Sequence, residues 1–247
     1  MKRRITLLAV VFTAWFSWRI PLAFLGLLAI GVGLAFMRAG QLGNFEGDRP
    51  KMSLLKVVLA CRSFWLMVIL FALGIGGQVG VYAMLPLFLV SERGMDPDLA
   101  NTLIGLSQIS ALFMTFFAGW VTDKIGEKRA IVLFLMCSGI VTILLGLLSG
   151  PWLKVIIFIQ PALIVCFFPA GFAALSGIVQ TNVRSLATAW AVPTAFMLGG
   201  GVFPAALGYM SEISSFGLGI SLAGGVIAVG SLLARFLDLI EVMEEGC

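Results

Sequence analysis

Long apolar runs broken at short polar intervals set the plan of the chain. They cover residues 20–37, 58–90, 99–121, 130–148, 155–179, 186–210 and 216–237. A helix needs roughly 20 apolar residues to cross a bilayer core of about 30 Å. Hydrocarbon offers backbone N–H and C=O groups no partner, so each run predicts a membrane-spanning helix. The run at residues 5–17 is shorter. Behind Lys2, Arg3 and Arg4 it imitates a secretory signal, but Trp15, Trp18, Arg19 and Pro21 stand where a small-residue cleavage site belongs, so it reads as the end of a truncated helix. Residues 38–57 form the one polar stretch of any length inside the chain, broken by Gly40, Gly43, Gly47 and Pro50. It divides residues 1–37, with one full span and one stub, from the six spans of residues 58–247.

Composition narrows the picture. Hydrophobic residues make up 60% of the chain and charged residues 11%, against about 45–50% and about 25% in soluble domains. With no histidine and no nucleophile–base or metal constellation, the sequence argues against an enzyme, a metal site or a cofactor. The net charge of +4 is spread over the turns and makes no nucleic-acid patch. Cys61, Cys137 and Cys166 lie in apolar runs and read as small core residues. The basic residues also orient the chain. With the N-terminus inside, Lys2, Arg3, Arg4, Arg38, Arg49, Lys51, Lys56, Arg62, Lys124, Lys128, Arg129, Arg184 and Arg235 lie on the inner side. Arg19, Arg93 and Lys154 lie on the outer side, a bias of 13 to 3 that obeys the positive-inside rule and puts the C-terminus in the cytoplasm.

The densest charge between two apolar runs is at residues 119–129, Gly-Trp-Val-Thr-Asp-Lys-Ile-Gly-Glu-Lys-Arg. Hydrocarbon cannot hold Asp123, Lys124, Glu127, Lys128 and Arg129, so a short cytoplasmic hairpin loop is expected here. Gly119 is expected to let helix backbones approach closely, and Gly126 to allow a tight turn. Gly119, Asp123, Lys124, Gly126, Lys128 and Arg129 resemble the signature loop of the major facilitator superfamily, with Val121, Thr122 and Glu127 departing from the usual pattern. The phrase Trp-Phe-Ser-Trp-Arg-Ile-Pro at residues 15–21 is similar to that family's turn between its fifth and sixth helices. The resemblance implies an all-α membrane bundle in two six-helix halves, each with one copy of the loop. Residues 58–247 then match the C-terminal six-helix half, residues 38–57 the central cytoplasmic loop, and residues 1–37 a remnant of the N-terminal half. The missing helices would come either from an upstream start or from a separately encoded half. In the family the Asp matching Asp123 faces a helix start in the other half and helps lock the inner gate. Here that start would lie near Lys2, Arg3 and Arg4.

All twelve Asp and Glu residues fall in turns or tails on this reading, so these spans offer no mid-membrane carboxylate for proton coupling. Neutral polar groups are the candidates for a substrate cavity. Gln78 and Tyr82 share a helix face among Gly74, Gly76, Gly77 and Gly80. Asn101, Gln108 and Thr115 recur every seven residues. Gln160 lies four residues before Ile164 and seven before Phe167, and Trp190, Thr194, Met197 and Gly201 line one face. Each could equally bond a neighbouring helix with no solute involved. Pro86, Pro161, Pro169, Pro193 and Pro204 are expected to bend their helices. The expected function is transmembrane transport of a small solute by alternating access, in a bacterial inner membrane. A lipophilic-drug efflux pump and a non-transporting membrane half-protein or remnant are the competing readings. The expected partners are the lipid bilayer, the solute and the other half.

Overall fold

The computed structural model describes residues 19–39, 56, 58–179 and 183–237, all helices and short turns. The stub at residues 5–17, most of the polar stretch, the middle of the turn at residues 180–184 and the acidic tail lie outside the described residues. The chain divides into two units, Met1–Arg49 and Pro50–Cys247. In the first unit, α1 (Arg19–Ala39) is a 21-residue apolar helix with Arg38 in its last turn.

The second unit contains six helices long and apolar enough to cross a membrane: α2 (Arg62–Ser91), α3 (Pro97–Ile125), α4 (Glu127–Leu147), α5 (Pro151–Gly177), α6 (Arg184–Ile213) and α7 (Phe216–Phe236). Local chemistry sets their starts. The Asp96 carboxylate caps α3, accepting from the N–H groups of Asp98 at 3.0 Å and Leu99 at 3.1 Å, with Pro97 in the first turn. Ser215 caps α7 through Leu218 N–H at 3.1 Å. Between α3 and α4 the break is a single residue, Gly126, at φ +82°. The expected loop at 119–129 is therefore mostly helix. A helix can run past the apolar layer because its backbone stays bonded to itself, and Gly126 alone supplies the turn.

α4 and α7 pack most closely, antiparallel, along a seam of glycines. Gly139 faces Gly224 and Gly146 faces Gly217, two pairs seven residues apart in one register. A Cβ on Gly139 would lie 2.5 Å from Ala228 N, and one on Gly224 would lie 2.6 Å from Ile143 N. One on Gly146 would strike the Gly217 carbonyl. Only a bare Cα allows this approach, and close backbone contact is the main attraction available between helices in lipid.

The crossing of α2 and α6 is different. Each contains one wide turn, Gly76–Gly80 and Met197–Val202. Val81 N–H reaches back five residues to the Gly76 carbonyl, and Phe203 N–H five residues to the Leu198 carbonyl. The two turns meet: a Cβ on Gly80 would lie 2.8 Å from the Gly199 carbonyl. Such turns loosen the hydrogen-bond ladder locally. Pro204, just beyond the second turn, has no N–H to give, which fits the widened register before it. In α5 the break falls at Cys166, so Pro169 sits in the first turn of the following segment, where a missing N–H costs little.

At the end opposite Gly126, the residues after α2 tie three helices together. The Glu92 carboxylate accepts from Phe216 N–H, and from Gly217 N–H at 3.0 Å, at the start of α7. Arg93 donates through Nη2 to the Gly146 carbonyl at 2.6 Å, with its guanidinium 4.9 Å from the Phe88 ring centroid. An anion on a helix N-terminus and a cation on a helix C-terminus both oppose the helix dipole. Glu92→Gln keeps the size but loses the charge and turns an NH2 toward backbone N–H groups. It should lower stability by about 1–2 kcal/mol, read as an earlier thermal midpoint in detergent. An unchanged midpoint would show that the tie carries no weight.

Candidate functional site

A layer of polar groups crosses the middle of the six-helix unit and separates two hydrophobic cores. The core toward Gly126 includes Ile75, Leu135, Ile164 and Ile227. The core at the other end includes Val81, Leu145, Ile157 and Ala223. Between them, on the same helices, come the wide turn of α2, Ser138 and Thr142 of α4, and Gln160 of α5. Ser107 and Ser110 of α3 join this layer. Buried polar groups in lipid survive only when bonded, and most of these are.

Tyr82 donates its hydroxyl to the Ile157 carbonyl at 2.9 Å, with Ser107 Oγ 3.2 Å away. Ile157 is four residues before Pro161. The helical donor for that carbonyl would be the N–H that proline lacks, so Tyr82 takes its place. Ser107 gives its own proton to the Ile104 carbonyl at 2.7 Å. Ser110 Oγ reaches the Phe158 carbonyl at 2.7 Å. Gln160 is fully enclosed. Its amide nitrogen donates to the Gly77 carbonyl in the wide turn at 3.0 Å and to Thr142 Oγ1 at 3.3 Å. Its Oε1 and the Ser138 hydroxyl are buried without a partner among the described residues.

The other cavity candidates lie at the unit's surface. Gln78 is half-buried in the wide turn, and Gln108 is exposed, as are Asn101 and Thr115. Trp190 is 48% exposed, and Thr194 is half-buried with its hydroxyl on the Trp190 carbonyl at 2.7 Å. The structure thus gathers Tyr82 and Gln160 in the enclosed layer, and leaves Gln78, Gln108, Trp190 and Thr194 on outer faces of α2, α3 and α6. The buried face of α3 is Ala100, Ser107, Ala111, Ala118 and Thr122, a seam of small residues beside the Asn101–Thr115 stripe. Sequence reading missed Ser107, Ser110, Thr142, Glu92 and Arg93. The seven-residue recurrence of small residues in α3 was the available signal for the first.

In the signature region, Gly126 makes the turn, while a Cβ on Gly119 would meet nothing within 4 Å. The close helix approach expected at Gly119 is not made among the described residues. Asp123 is exposed, and Lys124 stacks its ammonium 3.9 Å from the Trp120 ring centroid. Lys128 is half-buried and Arg129 exposed at the start of α4. Cys61 and Cys166 are buried, as expected, but Cys137 is only half-buried.

A bundle of six apolar helices, with charges flanking a single-residue hairpin and a polar layer at mid-depth, defines an all-helical membrane-spanning class of fold. Two overlapping stretches, residues 5–204 and 80–244, match the Major Facilitator Superfamily, and the chain belongs to that family. Its fold is similar to that of a solved variant of the Escherichia coli fucose:proton symporter, with a TM-score of 0.65 at 14% identity over 76% of this chain. The chain spans 46% of the length of that symporter. No curated protein matched the sequence.

Proposed function

We propose that the six-span unit forms one wall of a pathway that moves a small solute across the membrane by alternating access. The observation that carries this reading is the uneven burial of the spans. The apolar windows of α3 and α6 are only 17% and 22% buried within the unit, against 44–72% for the other four. Yet these two helices carry the exposed positions Asn101, Gln108, Thr115 and Trp190 and the half-buried Thr194. Lipid offers such groups nothing, so this face needs water, solute or another helical half against it. Gln78, Gln108, Trp190 and Thr194 contact the solute on this reading. Tyr82 and Gln160 hold the wall behind them. Belonging to the family supports transport, and the 13-to-3 bias of basic residues supports a cytoplasmic signature loop and C-terminus in a bacterial inner membrane. The gate role of Asp123 rests on the same resemblance.

Sided thiol labelling in cells tests the proposal. In a background without native cysteines, Gln108→Cys and Thr194→Cys should react with a water-soluble maleimide at least about tenfold faster than Leu222→Cys on α7, because lipid shields the last. Lys124→Cys should react only after permeabilisation, and Asp123→Asn should raise reactivity at Gln108→Cys from the cytoplasm. Equal rates at Gln108→Cys and Leu222→Cys would remove the water-lined wall. Labelling of Lys124→Cys in intact cells would reverse the orientation.

A further inference from the structure

We propose that the groove between α4 and α7 at the Gly126 end of the spans seats an anionic phospholipid, its phosphate held by Lys128, Arg129 and Arg235. The groove has a volume of about 570 Å3 and is lined by these three cations together with Leu133, Cys137 and Ile140. No acidic side chain is among its lining residues. Three cations come together here from two helices: Lys128 and Arg129 from the first turn of α4, Arg235 from the last turn of α7. Glu127 shares the first turn of α4 but does not line the groove, so the groove faces three cations and no carboxylate.

The rest of the groove says which kind of anion. Leu133 is 45% and Ile140 is 49% exposed, and the same face of α4 continues through Leu144 and Leu147. A charged rim that opens onto an apolar strip running down a membrane span complements a phosphate with an acyl chain. A free phosphate would leave that strip unused. Basic pockets between helices at a membrane interface take anionic headgroups on the same electrostatic grounds. Lys128 and Arg129 thereby serve a lipid on this side of the hairpin, apart from any contact that Asp123 makes.

Native mass spectrometry of the purified full chain tests the seat, with phosphatidylglycerol and phosphatidylcholine of identical acyl chains and sn-glycerol 3-phosphate as a free anion. The chain should retain phosphatidylglycerol with at least about tenfold preference. The triple substitution Lys128→Gln, Arg129→Gln, Arg235→Gln should bring the preference to about one. Cys137→Trp, which fills the groove and keeps the charges, should also weaken retention, so the result does not depend on the triple variant alone. Phosphatidylglycerol should slow maleimide attack on Cys137 in a Cys247→Ser background. Four results would each overturn the proposal. They are equal retention of the two lipids, undiminished retention by both variants, displacement by glycerol 3-phosphate, and retention only after residues 238–247 are removed, which would make the acidic tail the occupant.

Discussion

Gly146→Leu should separate α7 from α4 and leave little folded protein. A Cβ at this position would strike the Gly217 carbonyl and Ser221 Oγ, with Ser221 N at 2.9 Å. Two of those three atoms are backbone, which cannot rotate aside. The same residue offers its carbonyl to Arg93 at 2.6 Å, so displacing it also disturbs the tie at the end of α2. Overpacking a close contact costs about 1–3 kcal/mol for a small excess, and a leucine here should exceed about 3 kcal/mol, a large share of the stability of an ordinary protein. The measurement is the fraction of monodisperse protein and its thermal midpoint in detergent. Gly225→Leu is the control on the neighbouring helix, since a Cβ there meets nothing within 4 Å. If both variants melt alike, the glycine seam does not hold the pair together.

The second large effect is expected from a charge at Gln160. Gln160→Glu replaces the nitrogen that donates to the Gly77 carbonyl with an oxygen that can donate only if the carboxyl takes up a proton, in a site with no exposure. An acidic group at the centre of a span costs about 2.5–3.5 kcal/mol on insertion scales. Gln160→Leu has a similar size and only removes the bonds, at about 0.6 kcal/mol on average and up to about 1.7. The glutamate variant should therefore melt well below the leucine variant, with both below the native chain. A leucine variant as damaging as the glutamate would mean that Gln160 matters for its hydrogen bonds more than for its depth. That outcome would fit the wide turn in α2, where the Gly77 carbonyl lies in a loosened hydrogen-bond ladder.

These expectations differ in how far the chain itself announced them. The seven runs could be read because lipid imposes one rule on every span: a continuous apolar stretch with its backbone satisfied internally. The turn at Gly126 was equally local, fixed by one residue and its φ value, whereas the start of α3 at Asp96 and Pro97 lies two residues before the apolar run that begins at Leu99. The signature residues identified the family for the same reason. Their ends were less legible. The segment Gly119–Ile125 looked like loop from its charge but is helix, since charged side chains can reach water from a helix that outruns the apolar layer.

What the residues alone determined was therefore the list of spans, their turns and the family. The tertiary structure decided which polar groups meet. Tyr82 and Ile157 are 75 residues apart, and Gln160 and Gly77 are 83 apart. Nothing local pairs them. Pro161 leaves the Ile157 carbonyl open, but only the packing of α2 on α5 brings a hydroxyl to it. The glycines at 139, 146, 217 and 224 carry the right spacing in the sequence, yet spacing does not say which helix faces which, or in what register. In lipid, apolar side chains gain little by choosing one neighbour over another. Pairing is left to close backbone contact and to buried hydrogen bonds, and both exist only once the helices have come together.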